Sequence, residues 1–259
     1  MDKLHGKEKL LKDLTEIGNK LPKKIRIYLI GGCAMSLKDL KAATKDVDAI
    51  FTSVKDLELF EEQLIALGYR KEVKVDTTYQ QLGAYSIFRH PDKAGFDLFH
   101  KQVCNMLKLS DGMVKRSSEY RDFGKLELFL LSNEDIVLFK GITERPRDID
   151  DIAAIIKDSV QKGRDFDWDA IKSECEVQAE HLKIEGYLYN RLHELFAKHQ
   201  IRAPLMAWLR KRDIRNLLHE SYRTRSEKGL SHEEIIAQFK KDGFSKTEIK
   251  MLEGFRKKK

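Results

Sequence analysis

The sequence predicts an α+β fold: an N-terminal domain with a mixed sheet flanked by helices, then an all-helical C-terminal domain. Three observations predict it. Up to about Lys157, apolar runs of strand length alternate with stretches of helical periodicity. Beyond Gly163 no strand pattern survives. The charge divides as well: from residue 201 onward there are 16 Lys and Arg against 8 Asp and Glu, a local +8, whereas the first 200 residues carry a local −1. The expected boundary lies near residue 160, giving domains of 1–160 and 161–259, both within the ordinary size range.

The elements follow in order. Leu10, Leu11, Leu14 and Ile17 recur at helical spacing within Lys7–Leu21, and Pro22 stops that helix. Ile25–Ile30 reads as a buried strand, Gly31 and Gly32 punctuate its end, and Ala34–Leu40 reads as a short helix. Val47–Phe51 is a second strand, and Leu57–Leu67 is a helix closed by Gly68. Lys71–Val75, Gln80–Phe88 and Gly95–Phe99 are strand-like, the last two joined by a turn from His90 to Gly95. Val114–Tyr120 and Lys125–Leu130 read as strands paired around Asp122-Phe123-Gly124. Ser132 with Asp135 opens a helix in the manner of a capping box, and Ile149–Ile156 is helical after a basic loop. Asp167–His199 reads as one long helical region broken near Gly186, and Leu205–Ser221 follows Pro204. Ser231–Lys240 and Ser245–Arg256 each begin with Ser-x-x-Glu.

Composition removes several classes of function. At 41% hydrophobic residues the chain can build a core, which excludes a disordered polymer. No apolar run approaches the roughly 20 residues that cross a bilayer, and Met1–Lys9 lacks a signal-peptide core, so a cytoplasmic location is expected. Cys33, Cys104 and Cys175 are odd in number and unpaired in spacing, which suggests neither a disulfide framework nor a zinc knuckle.

The chemistry concentrates in Ile27–Met35 and Thr44–Asp48. A strand ending in Gly31-Gly32 at a helix start lets backbone N–H groups approach a phosphate closely. Asp46 and Asp48, two apart at the head of a strand, project from one face. Adjacent carboxylates repel one another unless a cation lies between them, and Mg²⁺ held by oxygen ligands resolves that tension. Asp97, flanked by apolar residues in Gly95–Phe99, offers a third acid, whereas Asp92 reads as a turn residue. The alternatives are plain: Asp46 and Asp48 as solvated strand-end acids, and Asp97 as the buried partner of a nearby arginine. His90 and His100 suit a hairpin better than a zinc site, and Cys33 has no base beside it.

Gly31-Gly32, Asp46-x-Asp48 and a later strand bearing Asp97 resemble the DNA polymerase β-type nucleotidyltransferase superfamily. Within it, Thr44–Asp48 is similar to small prokaryotic AbiEii/MenA-like toxin nucleotidyltransferases. Lys140 followed by Arg145-Pro-Arg147-Asp148-Ile-Asp150-Asp151 agrees, and the resemblance spans roughly residues 25–157. One departure is Ala42, beside Lys41, where many relatives carry arginine. The resemblance implies attack of a hydroxyl on the α-phosphate of an NTP with release of pyrophosphate. Asp46, Asp48 and Asp97 would be the catalytic and metal-binding acids for Mg²⁺ or Mn²⁺, with Asp97 helping to deprotonate the acceptor. Gly31, Gly32, Cys33, Thr44 and Lys140 would bind the nucleotide, ATP among the NTPs. Asp148, Asp150 and Asp151 are expected to cap a helix and pair with Arg145 or Arg147.

The basic C-terminal part points to a polyanionic partner, and the expected acceptor is RNA such as a tRNA 3′ end. Arg202, Arg210, Lys211, Arg212, Arg215, Arg223 and Arg225 would hold its backbone, although Arg210-Lys211-Arg212 cannot share one helix face. Transfer to a protein or small molecule is a variant of the same chemistry, and likeness to a toxin admits a cognate antitoxin partner. The contrasting class is a non-catalytic binding module using the final helix pair, which loosely resembles a helix-turn-helix.

Overall fold

The computed structural model describes residues 3–72, 83–143, 145–179 and 181–252. Its centre is a seven-stranded mixed sheet. Strands β1 (His5–Gly6), β2 (Ile25–Ile30), β3 (Ala43–Thr44), β4 (Asp46–Phe51), β5 (Arg70–Lys71), β6 (Ser86–Arg89) and β7 (Gly95–His100) come first in the chain. Then follow β8 (Gln102–Val103), β9 (Leu107–Lys108), β10 (Ser118–Phe123) and β11 (Leu126–Leu130). The main sheet has the order β10-β11-β2-β4-β7-β6-β5, while β1 pairs with β3 and β8 with β9. β11 is parallel to β2 and β4 is parallel to β7, whereas β2 and β4 are antiparallel. The central strands are buried on both faces, as their continuous apolar runs require.

Helix α1 (Lys7–Lys20) buries Leu10, Leu14 and Ile17, three or four residues apart, and α2 is Gly31–Leu37. The second helix begins at the glycines themselves, three residues earlier than the apolar pattern suggests. α3 (Val54–Ala66) is capped by Ser53, whose side chain accepts from Asp56 N. α4 (Asp111–Arg116) replaces the first part of an expected strand: Ser110 accepts from Met113 N and nucleates a turn of helix, so β10 begins only at Ser118. The expected pairing of that strand with Leu126–Leu130 is present. The expected strand segments 73–75 and 80–82, and the last helix beyond residue 252, lie outside the described residues.

α5 (Asn133–Gly141), capped by Ser132, and α6 (Asp148–Gln161) pack against each other, and α5 also meets α2. α7 (Trp168–Gln178) and α8 (Glu185–His199) are separate helices. The break precedes Gly186, which lies inside α8, because Gln178 turns its side chain to the Lys108 backbone, accepting from its N–H and donating to its carbonyl. α9 (Met206–Glu227) leads to α10 (His232–Lys241) and α11 (Lys246–Ile249), and both Ser-x-x-Glu sequences form capping boxes.

The main core does not break at residue 160: one buried cluster runs from Leu10 to Leu209 and takes in Ile171, Leu188, Leu192 and Leu195. A second, small core gathers Leu218, Ile235, Phe239 and Leu252. Among the described residues no helix is long and apolar enough to cross a membrane.

Candidate active site

Asp46 and Asp48 lie on one face of β4, because side chains alternate along a strand. In the parallel ladder Asp48 stands directly opposite Asp97 of β7, and Asp46 opposite Gly95. All three acids therefore share one sheet face, on strands about 4.8 Å apart. On its other side Asp48 is opposite Ile30, so α2 starts against this acid. Gly31 has φ +64°, and a Cβ there would lie 2.1 Å from Asp48 Oδ2. A Cβ at Gly32 would lie 2.7 Å from Thr44 Oγ1, and that hydroxyl donates to Asp46 O at 3.1 Å. The two glycines are thus required by the carboxylate and hydroxyl packed on them.

The acids are electrostatically crowded. Although a little of Asp48 meets solvent, protein surrounds its carboxyl, and burial followed by repulsion from Asp97 pushes it up to about 7, against the pull of Arg145. Burial pushes Asp97 up to about 6, with Arg89 opposing. Arg89, on β6, reaches the acids directly: its Nη1 lies 2.8 Å from Asp97 Oδ1 and 3.3 Å from Asp46 Oδ1. Gly95 makes room for it, since a Cβ there would lie 2.5 Å from Asp46 Oδ1 and 2.7 Å from Arg89 Nη1. The contact of Asp97 with a nearby arginine, one of the alternatives raised by the sequence, is therefore present.

Three carboxylates with no nitrogen or sulfur donor suit a hard cation such as Mg²⁺ or Mn²⁺. Burial first, and then the neighbouring carboxylates, raise Asp48 and Asp97, and a cation would offset both effects. The donor set fits in kind and in strand position. Among the described residues, however, no three His, Cys, Asp or Glu side chains stand in an arrangement that holds a metal ion. The arginine lies among the acids instead.

Lys140 is buried at the end of α5, its Nζ 2.9 Å from Asp148 Oδ1 and 2.6 Å from Asp151 Oδ2. Asp148 also accepts from Thr143 Oγ1 and, at 3.0 Å, from Arg145 Nε. Asp151 meets Lys41 Nζ at 3.0 Å, and Arg191 of α8 donates to Thr143 O. This network fixes the turn between α5 and α6 and leaves Arg145 as a cation whose charge is felt at Asp48. Asp148 pairs with Arg145 as expected. Asp150 pairs instead with Lys198 and His199 at the end of α8.

Cys33 is fully buried in α2, where burial pushes its thiol well above the usual range, so only its backbone can serve a ligand. His90 Nδ1 accepts from Asp92 N within the turn, and Asp92 pairs with Lys3 at the surface. Sequence reasoning misses Arg89, and it places Arg145 as a partner of the α6 acids without linking it to Asp48. Position along the chain hides both links, since each depends on which element the arginine faces.

The fold is similar to that in the crystal structure of ANT(2″)-Ia in complex with adenylyl-2″-tobramycin, at 10% sequence identity and a TM-score of 0.40, covering 66% of this chain and 94% of that one. No curated protein matches the sequence. A family model described as a nucleotidyltransferase of unknown function (DUF6036) matches residues 8–185, which takes in the glycine pair, all three acids and the Lys140–Asp148 network. The chain belongs to this family of nucleotidyltransferases.

Proposed function

We propose that the chain transfers NMP from an NTP to an acceptor hydroxyl in a reaction that needs a divalent cation, and that the acceptor is RNA. The observation that carries the reading is the register pair Asp48–Asp97, with Asp46 on the same face and Gly31 packed against Asp48. Asp46 and Asp48 would hold Mg²⁺, joined by Asp97 on the acceptor side. When bound, the ion supplies charge that offsets the triphosphate and acidifies the attacking hydroxyl. Asp97 receives the hydroxyl proton as the acceptor oxygen bonds to the α-phosphorus and the P–O bond to pyrophosphate breaks. Backbone N–H groups at Gly31, Gly32 and Cys33 face the phosphates, and Thr44 holds the strand edge beside them. Arg145 offsets charge on the departing pyrophosphate, with Lys140 positioning it through Asp148.

The C-terminal charge supports the acceptor, with a narrower set of residues than the sequence suggests. Arg212 Nε is tied to the fully buried Glu185 at 3.2 Å, and Arg225 to Asp242 at 2.8 Å, so both hold structure. Lys211, Arg215 and Arg223 are exposed on α9 at multiples of four residues, a winding stripe beside Lys183. Incubation with each α-labelled NTP, Mg²⁺ and total RNA tests the reading, and label in RNA is the expected result. Label in protein or small molecules alone rejects RNA, and no transfer from any NTP to any acceptor in a whole-cell extract rejects the enzyme.

A further inference from the structure

The acids of the active site are not simply exposed to an incoming ion. Arg89 Nη1 bridges Asp97 and Asp46 from the neighbouring strand, and Gly95 keeps open the slot through which it reaches them. Its Nε lies 3.8 Å from Glu72 Oε1, just beyond β5, while Nη1 also donates to Phe88 O at 3.0 Å. One guanidinium thus lies between Asp46 and Asp97 on one side and Glu72 on the other.

We infer that Arg89 is an internal counter-cation that competes with the catalytic metal, closing the acids in one position and released toward Glu72 in the other. The inference rests on the reading of Asp46, Asp48 and Asp97 as metal ligands. Two positive groups cannot share the same carboxylate oxygens at hydrogen-bond range without strong repulsion. Hence Asp97 Oδ1 and Asp46 Oδ1 become ligand atoms only when Nη1 withdraws. Without Arg89, the buried Asp97 would lose its ion-pair and hydrogen-bond partner while still facing Asp46 and Asp48, so the arginine also steadies the metal-free fold. Glu72 offers the released guanidinium a partner at little cost, since its side chain is 39% exposed. Arg89 is on this account a positioning residue, which makes metal binding conditional on its movement.

The test measures Mn²⁺ affinity by calorimetry at mildly alkaline pH on the full chain, alongside thermal melting with and without metal. Arg89→Gln should melt lower than wild type without metal, yet bind Mn²⁺ on the order of tenfold more tightly, because a repelling charge and a competing contact are both gone. A purely structural arginine predicts the opposite, weaker binding by a loosened site. Arg89→Lys, which keeps the charge but loses the fork, should fall between the two. Glu72→Gln, which weakens the released position, should bind Mn²⁺ more weakly than wild type, and it decides the matter if Arg89→Gln fails to fold. Equal or weaker Mn²⁺ binding by Arg89→Gln, or unchanged binding by Glu72→Gln, overturns the inference. Failure of every variant and of wild type to bind Mn²⁺ above an Asp48→Asn blank overturns instead the metal reading on which it rests.

Discussion

Gly31 leaves no space for a side chain, and the reason is the Asp48 carboxylate packed on it more than turn chemistry. Its left-handed φ of +64° would cost alanine about 1–2 kcal/mol, but Asp48 Oδ2 also sits where a Cβ would go, at 2.1 Å. Gly31→Ala should therefore lose more activity than stability, since the carboxylate must move. Gly163 supplies the control: its φ is +66°, yet nothing lies within 4 Å of its Cβ position. Gly163→Ala should show the backbone cost in a thermal melt and leave transfer unchanged, and equal activity losses in the two variants would break the argument. At this scale the sequence is informative where chemistry is local. Gly31-Gly32 and Asp46-x-Asp48 are legible because the acids sit two residues apart and the glycines mark the strand end. Arg89 is not, because its partners Asp46 and Asp97 are set by strand order, with β7 between β6 and β4.

Between elements, the α5–α6 turn depends on buried ion pairs. Burial alone would raise the Asp148 carboxyl, but Lys140 and Arg145 outweigh it and hold the group below its ordinary range. A depressed acid contributes stability that is present above its unfolded pKa and lost as pH falls through the lower folded value. Asp148→Asn should cost about 3–5 kcal/mol near neutral pH by leaving buried Lys140 short of a partner, and the gap to wild type should narrow as pH drops below 3.8. Urea melts across that range check it, and a gap that widens in acid would contradict the assignment. The element scale is also where the sequence pattern misleads. Ser110 and Asp111 start a short helix that takes over the first residues of the expected strand Val114–Tyr120, and Gln178 at the end of α7 contacts Lys108, 70 residues away. Local periodicity carries no trace of such a contact.

Across the whole molecule, the end of the strand pattern and the change in core fall at different places. The sequence divides near residue 160, whereas buried side chains remain continuous to Leu209 and regroup around Phe239. Phe239→Ala should cost about 3–5 kcal/mol confined to that small core. Hydrogen exchange should then show lost protection in α10 and retained protection in β2 and β4, and uniform loss would mean the two cores unfold as one. The exposed stripe on α9 belongs to this scale too. Reversing Lys211, Arg215 and Arg223 to Glu should weaken RNA binding and flatten its dependence on salt, while NTP binding holds. RNA affinity equal to wild type at low and moderate salt would reject that surface.

On the proposed reading, Asp46, Asp48 and Asp97 act as one unit on a nucleotide beside Gly31. Pyrophosphate release from NTP, measured in wild type and in Asp48→Asn of unchanged melting temperature, tests it most directly. Release should be Mg²⁺-dependent in wild type and about a hundredth of that rate or less in the variant, since the amide keeps the shape and loses the charge. Release at the wild-type rate by Asp48→Asn, or in excess EDTA, would contradict it.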